Sequence, residues 1–289
     1  MIAKGFVPQS KFFSKKNMAY LASCARIAYY KPDELERALV RAGFDVSGQD
    51  FFIEDKKTDT QLFVVGDRTK IIVSFRGSEK KLKDWENNFS FRKEPWTKAN
   101  HLGAVHDGFA DAFYRVREPL VARLRALRDN NQPIWYTGHS LGGALAVMAA
   151  ATLALHEEKI PFAGLYTFGQ PRVGDFQFAK SFNAALKGRS YRMVNNNDVV
   201  PQVPLEAMGY SHAGQLKYFD HKGRLRGDKS RKWWFRFWDR IEGRLEHVVD
   251  VSKGISTFKF IPSDGIDDHD MADYEKYAYR AAKLQRPVL

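Results

Sequence analysis

From residue 17 to residue 31, Met18, Leu21, Ala22, Ala25 and Ala28 recur on one face of a 3.6-residue period, which predicts a helix. Pro32 then opens a second helix, with Asp33 and Glu34 in its first turn, and Gly43 ends it. Residues 51–54, 62–65 and 71–75 are β-branched and aromatic, with turn residues at 56–59 and 66–70 between them, so they predict a meander of strands. After Gly108 the pattern changes to alternation. A long basic helix over 109–128 precedes a strand at 134–137 and a helix over 141–156. A strand at 163–168, a helix over 176–186 and a strand at 191–194 follow. Strands alternating with helices predict an α/β fold, with a mixed, mostly parallel sheet covered on both faces. In the last third, residues 215–219 and Leu225 predict a hairpin around Asp220 to Gly223. Residues 231–249 predict an amphipathic helix, 255–262 give no clear pattern, and 271–284 predict a final helix. No repeat or compositional break divides the chain, which reads as a single domain over 1–289.

Composition narrows the function classes. The 289 residues are 44% hydrophobic and 14% aromatic, which excludes intrinsic disorder. The longest apolar run, 144–155, is shorter than the ~18 residues of a membrane span. The single cysteine, Cys24, excludes an intrachain disulfide and Cys-rich zinc sites. The first sixteen residues carry no apolar core or cleavage site of a secretory signal, so a cytoplasmic address is the default expectation, with non-classical secretion left open. The net charge of +12 fits nucleic acid, anionic membrane or simple solubility. No helix-turn-helix, RNP or zinc pattern accompanies it, so nucleic acid is not an expected partner.

The candidate chemistry begins at Gly138-His139-Ser140-Leu141-Gly142, a Gly-x-Ser-x-Gly motif between a predicted strand and a predicted helix. That context is what a nucleophile elbow needs: the serine sits on a sharp turn beside a helix N-terminus, which favours developing negative charge. A serine hydroxyl needs a base, and the base an orienting carboxylate. In this fold they follow in the order Ser, Asp or Glu, His. Asp198 follows the strand and polar loop Val194-Asn195-Asn196-Asn197 and fits the carboxylate position; Asp175 competes, but reads as a helix N-cap. His269, in the loop before the last helix, is the leading base, and His212 stays open. The acids around it, Asp264, Asp267, Asp268 and Asp270, could form a metal site, although acids before a helix are usually caps, and no metal is expected.

These residues resemble the class 3 lipase family, which includes fungal triacylglycerol lipases and feruloyl esterases. The matching stretches are Val73-Ser74-Phe75-Arg76-Gly77-Ser78, Asp84-Trp85, His106-Asp107-Gly108-Phe109, the motif around Ser140 through Leu145, Tyr166 to Gly174, Asp198-Val199-Val200-Pro201, and His269 before Tyr274. They lie in the family's order. The resemblance implies an α/β-hydrolase fold with Ser140, Asp198 and His269 as catalytic triad. It also implies the backbone N–H groups of Ser78 and Leu141 as oxyanion hole, and no metal or organic cofactor. It places a mobile lid at about 79–91, where Leu82, Trp85 and Phe89 share one face of a short helix; a helix packed permanently on the core is the alternative. Residues 220–263 form a basic, aromatic insertion relative to fungal members, and Gly209-Tyr210-Ser211-His212 with Tyr218-Phe219 looks more like bacterial ones.

The implied activity is hydrolysis of lipid esters, as by a triacylglycerol lipase. A soluble carboxylesterase or feruloyl esterase, a phospholipase A1-like enzyme, and an inactive hydrolase-fold membrane-binding module are the alternatives. The expected partners are a lipid ester substrate and, transiently, an anionic membrane or lipid-droplet surface, with no obligate protein partner. Trp234, Trp238, Ile241, Leu245 and Val248 make an apolar stripe in the basic segment, suited to core packing or to a bilayer interface.

Overall fold

The computed structural model describes residues 2–46, 49–78, 92–96, 103–155, 160–227, 246–250, 255–259 and 267–286. Side chains at 49, 246–250, 255–259 and 267 are not among those described. The expected lid, with Leu82, Trp85 and Phe89, and most of the basic segment, 231–245, lie outside these residues.

Eight strands form the main sheet: β1 (Phe52–Asp55), β2 (Thr60–Gly66), β3 (Ile71–Phe75), β6 (Ile134–His139), β7 (Gly164–Phe168), β9 (Ser190–Asn195), β11 (Gln215–Phe219) and β12 (Leu225–Arg226), in the spatial order just given. The first three are an antiparallel meander; β3, β6, β7, β9 and β11 run parallel; β12 closes as an antiparallel hairpin. The parallel centre is buried on both faces, which is why β3, β6, β7 and β9 are buried along their whole length.

Side chains alternate between two cores, as a period of two requires. Toward one face, Val73, Phe75, Ile134, Tyr136 and Leu165 meet helices α3 (Asp107–Leu127), α4 (Leu141–Leu155) and α5 (Phe176–Ala185). Toward the other, Ile72, Trp135, Tyr166, Phe168, Tyr191 and Met193 meet α1 (Lys15–Ile27), α2 (Pro32–Arg41) and α6 (Met271–Ala282). Helix α4 is buried almost throughout, so its Ala-rich sequence fits a helix enclosed between sheet and neighbours.

Two features differ from the sequence reading. A small four-stranded sheet, β10 (Tyr210–Ser211), β8 (Gly174–Asp175), β5 (Ala104–His106) and β4 (Lys93–Pro95), flanks the site; strands of two or three residues carry no periodic signal. The helix expected to run to residue 249 does not do so, because β13 (Glu246–Asp250) pairs antiparallel with β14 (Ile255–Lys259). The β-branched Val248, Val249, Ile255 and Thr257 favour this extended pairing over the helical stripe. Among the described residues no helix is long and apolar enough to cross a membrane.

Candidate active site

Ser140, Asp198 and His269 all lie at the C-terminal edge of the parallel strands, where open α/β sheets place their ligand crevices. Ser140 caps β6 with φ +57°, a left-handed conformation that a non-glycine residue adopts at a cost. Its amide donates to the Phe168 carbonyl at 2.9 Å, and its carbonyl accepts from Gly143 N–H at 2.9 Å, so β7 and the first turn of α4 hold the elbow. A Cβ at Gly142 would stand 2.3 Å from the Phe75 carbonyl oxygen and 2.7 Å from the Arg76 carbonyl carbon. That glycine lets the start of α4 press against the end of β3 and Arg76. Ser78 is itself buried.

Asp198 follows β9 and is fully buried. Its carboxylate lies 2.8 and 2.9 Å from His269 Nδ1, and accepts from the Tyr274 hydroxyl at 2.5 Å and from Val200 N–H at 2.9 Å. The Tyr274 oxygen in turn accepts from Asn195 N–H at 2.9 Å. Burial first, then the Asp198 charge, push the Tyr274 hydroxyl well above its usual range, which keeps it a donor. With Nδ1 engaged by Asp198, the other ring nitrogen of His269, Nε2, is buried without a hydrogen-bond partner among the described residues, and so is the Ser140 hydroxyl. Gly169, at φ +57°, leaves room for this pair: a Cβ there would lie 2.6 Å from His269 Cε1 and 2.9 Å from Asp198 Oδ2.

His139 braces His269 from behind. Its Nε2 lies 2.8 Å from the His269 carbonyl oxygen and its Nδ1 lies 2.7 Å from the Tyr29 hydroxyl. Burial, and then the nearness of His269, hold the His139 ring well below its usual range, so it is neutral. A carbonyl can only accept, so Nε2 carries the proton and Nδ1 accepts from Tyr29.

The competing candidates are engaged elsewhere. Asp175 caps α5, accepting from Phe178 N–H at 2.8 Å and from Ala104 N–H at 3.0 Å. His212 packs near Arg192 and Arg172; burial first, then these two cations, hold its ring well below its usual range. Sequence reasoning passed over His139 and Tyr29 as supports for His269. Their only sequence signals are a ring beside the serine in the Ser140 motif and a tyrosine just past the end of α1.

The mixed sheet, the elbow after β6 and the Asp198–His269 pair beyond it define an α/β-hydrolase fold. The class 3 lipase family model matches residues 72–208 of the chain. The chain is 37% identical over 168 residues to a secreted mono- and diacylglycerol lipase of Fusarium solani, covering 57% of this chain and 49% of that one. To a triacylglycerol lipase of Arabidopsis thaliana it is 30% identical over 217 residues, covering 57% of this chain and 41% of the other. The triacylglyceride lipase structure from Rhizomucor miehei matches 72% of this chain and 80% of its own, at 27% identity and a TM-score of 0.58. The chain thus spans about half the length, or less, of the curated relatives it matches. These relatives are fungal and plant proteins, so the expected leaning toward bacterial members is not borne out. The Fusarium relative is named as a secreted lipase, which overturns the cytoplasmic default: the pattern of the first sixteen residues is a weak guide to address.

Proposed function

We propose that this protein is a serine carboxylic-ester hydrolase acting on lipid esters. Ser140 Oγ attacks the ester carbonyl carbon while His269 Nε2 takes its proton. The resulting oxyanion is held by the N–H groups of Leu141 and Ser78. The carbonyl re-forms as the C–O bond to the alcohol breaks, and the alcohol leaves with the proton from His269. Water, deprotonated by the same nitrogen, then attacks the acyl-Ser140 ester, releasing the fatty acid and the free serine. Asp198 holds His269 in the tautomer with Nε2 free and stabilises the imidazolium.

The observation that carries this reading is the 2.8 Å contact between Asp198 and His269 Nδ1, beyond a serine on a left-handed elbow. The lipid preference is supported by the printed names of the relatives, which include mono-, di- and triacylglycerol lipases. The +12 charge would draw the enzyme to an anionic lipid surface, each nearby Lys or Arg being worth about 1 kcal/mol. The test is hydrolysis of p-nitrophenyl esters and emulsified glycerides by wild type and Ser140→Ala, with vesicle sedimentation over a salt series. Esterase activity that survives Ser140→Ala refutes the mechanism. Hydrolysis of short soluble esters alone, with no glyceride turnover, refutes the lipid substrate.

A further inference from the structure

The three consecutive asparagines from the last residue of β9 up to Asp198 all bond to one residue of another loop. Asn197 N–H and Asn196 Nδ2 each donate to Asp268 Oδ2 at 3.0 Å. Asn195 Nδ2 donates to the Asp268 carbonyl oxygen at 2.9 Å and lies 3.5 Å from Oδ1. Asp268 belongs to the 3-10 turn Asp267–His269, directly before His269. Asp198 and His269 are 71 residues apart in sequence, yet they must meet to within tenths of an ångström.

We propose that Asp268 is a positioning residue, fixing the loop that carries Asp198 onto the turn that carries His269. This rests on reading Ser140, Asp198 and His269 as a triad. The chemistry suits the task. Burial, and further the like charges of Asp198 and Asp273, work against an ionised Asp268, while the N–H groups of Asn197 and Asn196 favour it. A position needing only bulk would be filled by an apolar side chain without that electrostatic conflict. An ionised carboxylate oxygen, by contrast, accepts two donors from one loop at once, and such charge-assisted bonds are the stronger kind. Asn196 adopts φ +32°, which turns its side chain and the following amide toward the same oxygen and suits asparagine better than most residues.

The test measures kcat and KM on p-nitrophenyl butyrate, and the rate at which a fluorophosphonate labels Ser140, which needs no knowledge of the natural substrate. Asp268→Ala is expected to lower both kcat and the labelling rate by roughly 10–100-fold with KM within about twofold, since small misplacements of reacting groups are costly. Asp268→Asn keeps an oxygen acceptor for the Asn197 N–H and is expected to stay within about threefold of wild type. Wild-type rates in Asp268→Ala, equal losses in both variants, or a loss confined to KM overturns the proposal. If Asp268→Ala gives no cooperative melt, Asn196→Gly takes its place. It tolerates the same backbone, deletes one donor, and should slow labelling by about three- to tenfold; an unchanged rate overturns the proposal. A wild-type chain that takes no label at Ser140 refutes the triad reading, and the positioning role with it. Labelled wild type with an equally fast Asp268→Ala refutes Asp268 alone.

Discussion

Removing the Tyr274 hydroxyl separates its two roles. In Tyr274→Phe the ring still fills its place beneath Phe168 and Phe219, but Asp198 loses the 2.5 Å donor and Asn195 N–H loses its 2.9 Å acceptor. A hydrogen bond to a charged group is worth about 1.5–3 kcal/mol, and an unsatisfied buried N–H costs about 1–3 kcal/mol. Taken together and not fully additive, they set a destabilisation of about 3 kcal/mol. At about 2–4 °C per kcal/mol for a chain of this size, Tm should fall by about 6–12 °C. The carboxylate, now held among the described residues only by Val200 N–H and His269, gains freedom to turn, so kcat should fall about tenfold with KM unchanged. Tyr279→Phe is the control, because its hydroxyl bonds Ser23 at 2.9 Å away from the site. It should lower Tm and leave kcat alone. Differential scanning calorimetry and ester kinetics read both effects. A Tyr274→Phe variant with wild-type Tm and kcat would refute the reasoning, and one matching Tyr279→Phe would reduce Tyr274 to a packing residue.

Other perturbations reach other parts of the site. Ser78→Pro deletes a backbone donor and should lower kcat by about 10²–10³, as loss of one oxyanion donor does; wild-type ester kinetics would remove Ser78 from the hole. Gly142→Ala drives a Cβ against the Phe75 carbonyl and should cost about 1–3 kcal/mol in thermal melts, with slower phosphonate labelling of Ser140 as the elbow shifts. His212 is held below its usual value of 6.5 in the fold, so below about pH 6.5 the unfolded chain takes a proton that the folded chain refuses. Stability should therefore fall as pH drops from 7 to 5. His212→Gln should flatten that slope in melts across the range, with His139 supplying the remainder, and an unchanged slope would show that His212 does not contribute.

What the sequence made legible follows from how local each signal is. The meander, the alternating strands and helices, and the elbow at Ser140 depend on neighbours a few residues away, so periodicity and turn chemistry reveal them. The four-stranded flanking sheet does not, because β8 and β10 are two residues each and pair with partners more than thirty positions distant. The extended β13 failed for a different reason. Val248 fits a helical stripe and a strand equally well, and its antiparallel partner, not its own periodicity, decides between them. The supports of the candidate base were equally hidden: Tyr29 and His139 meet across 110 residues, and nothing near either one announces the contact.

The run Asp267-Asp268-His269-Asp270 shows why composition could mark this region without resolving it. Read along the chain, adjacent acids around a histidine suggest a helix cap first, with a metal site as the lesser alternative. In three dimensions a 3-10 turn advances each side chain by about 120°, so successive residues face different neighbours. Asp268 meets the asparagine loop, His269 meets Asp198, and Asp270 turns to the Ala272 amide at 2.7 Å and caps α6. Only the cap is local, and only the cap could be read with its partner. The other two partners arrive from β9, some seventy residues earlier, and are set there by the parallel register of β7, β9 and β11. One short turn thus joins three segments of the fold at the point where the proposed chemistry needs them aligned.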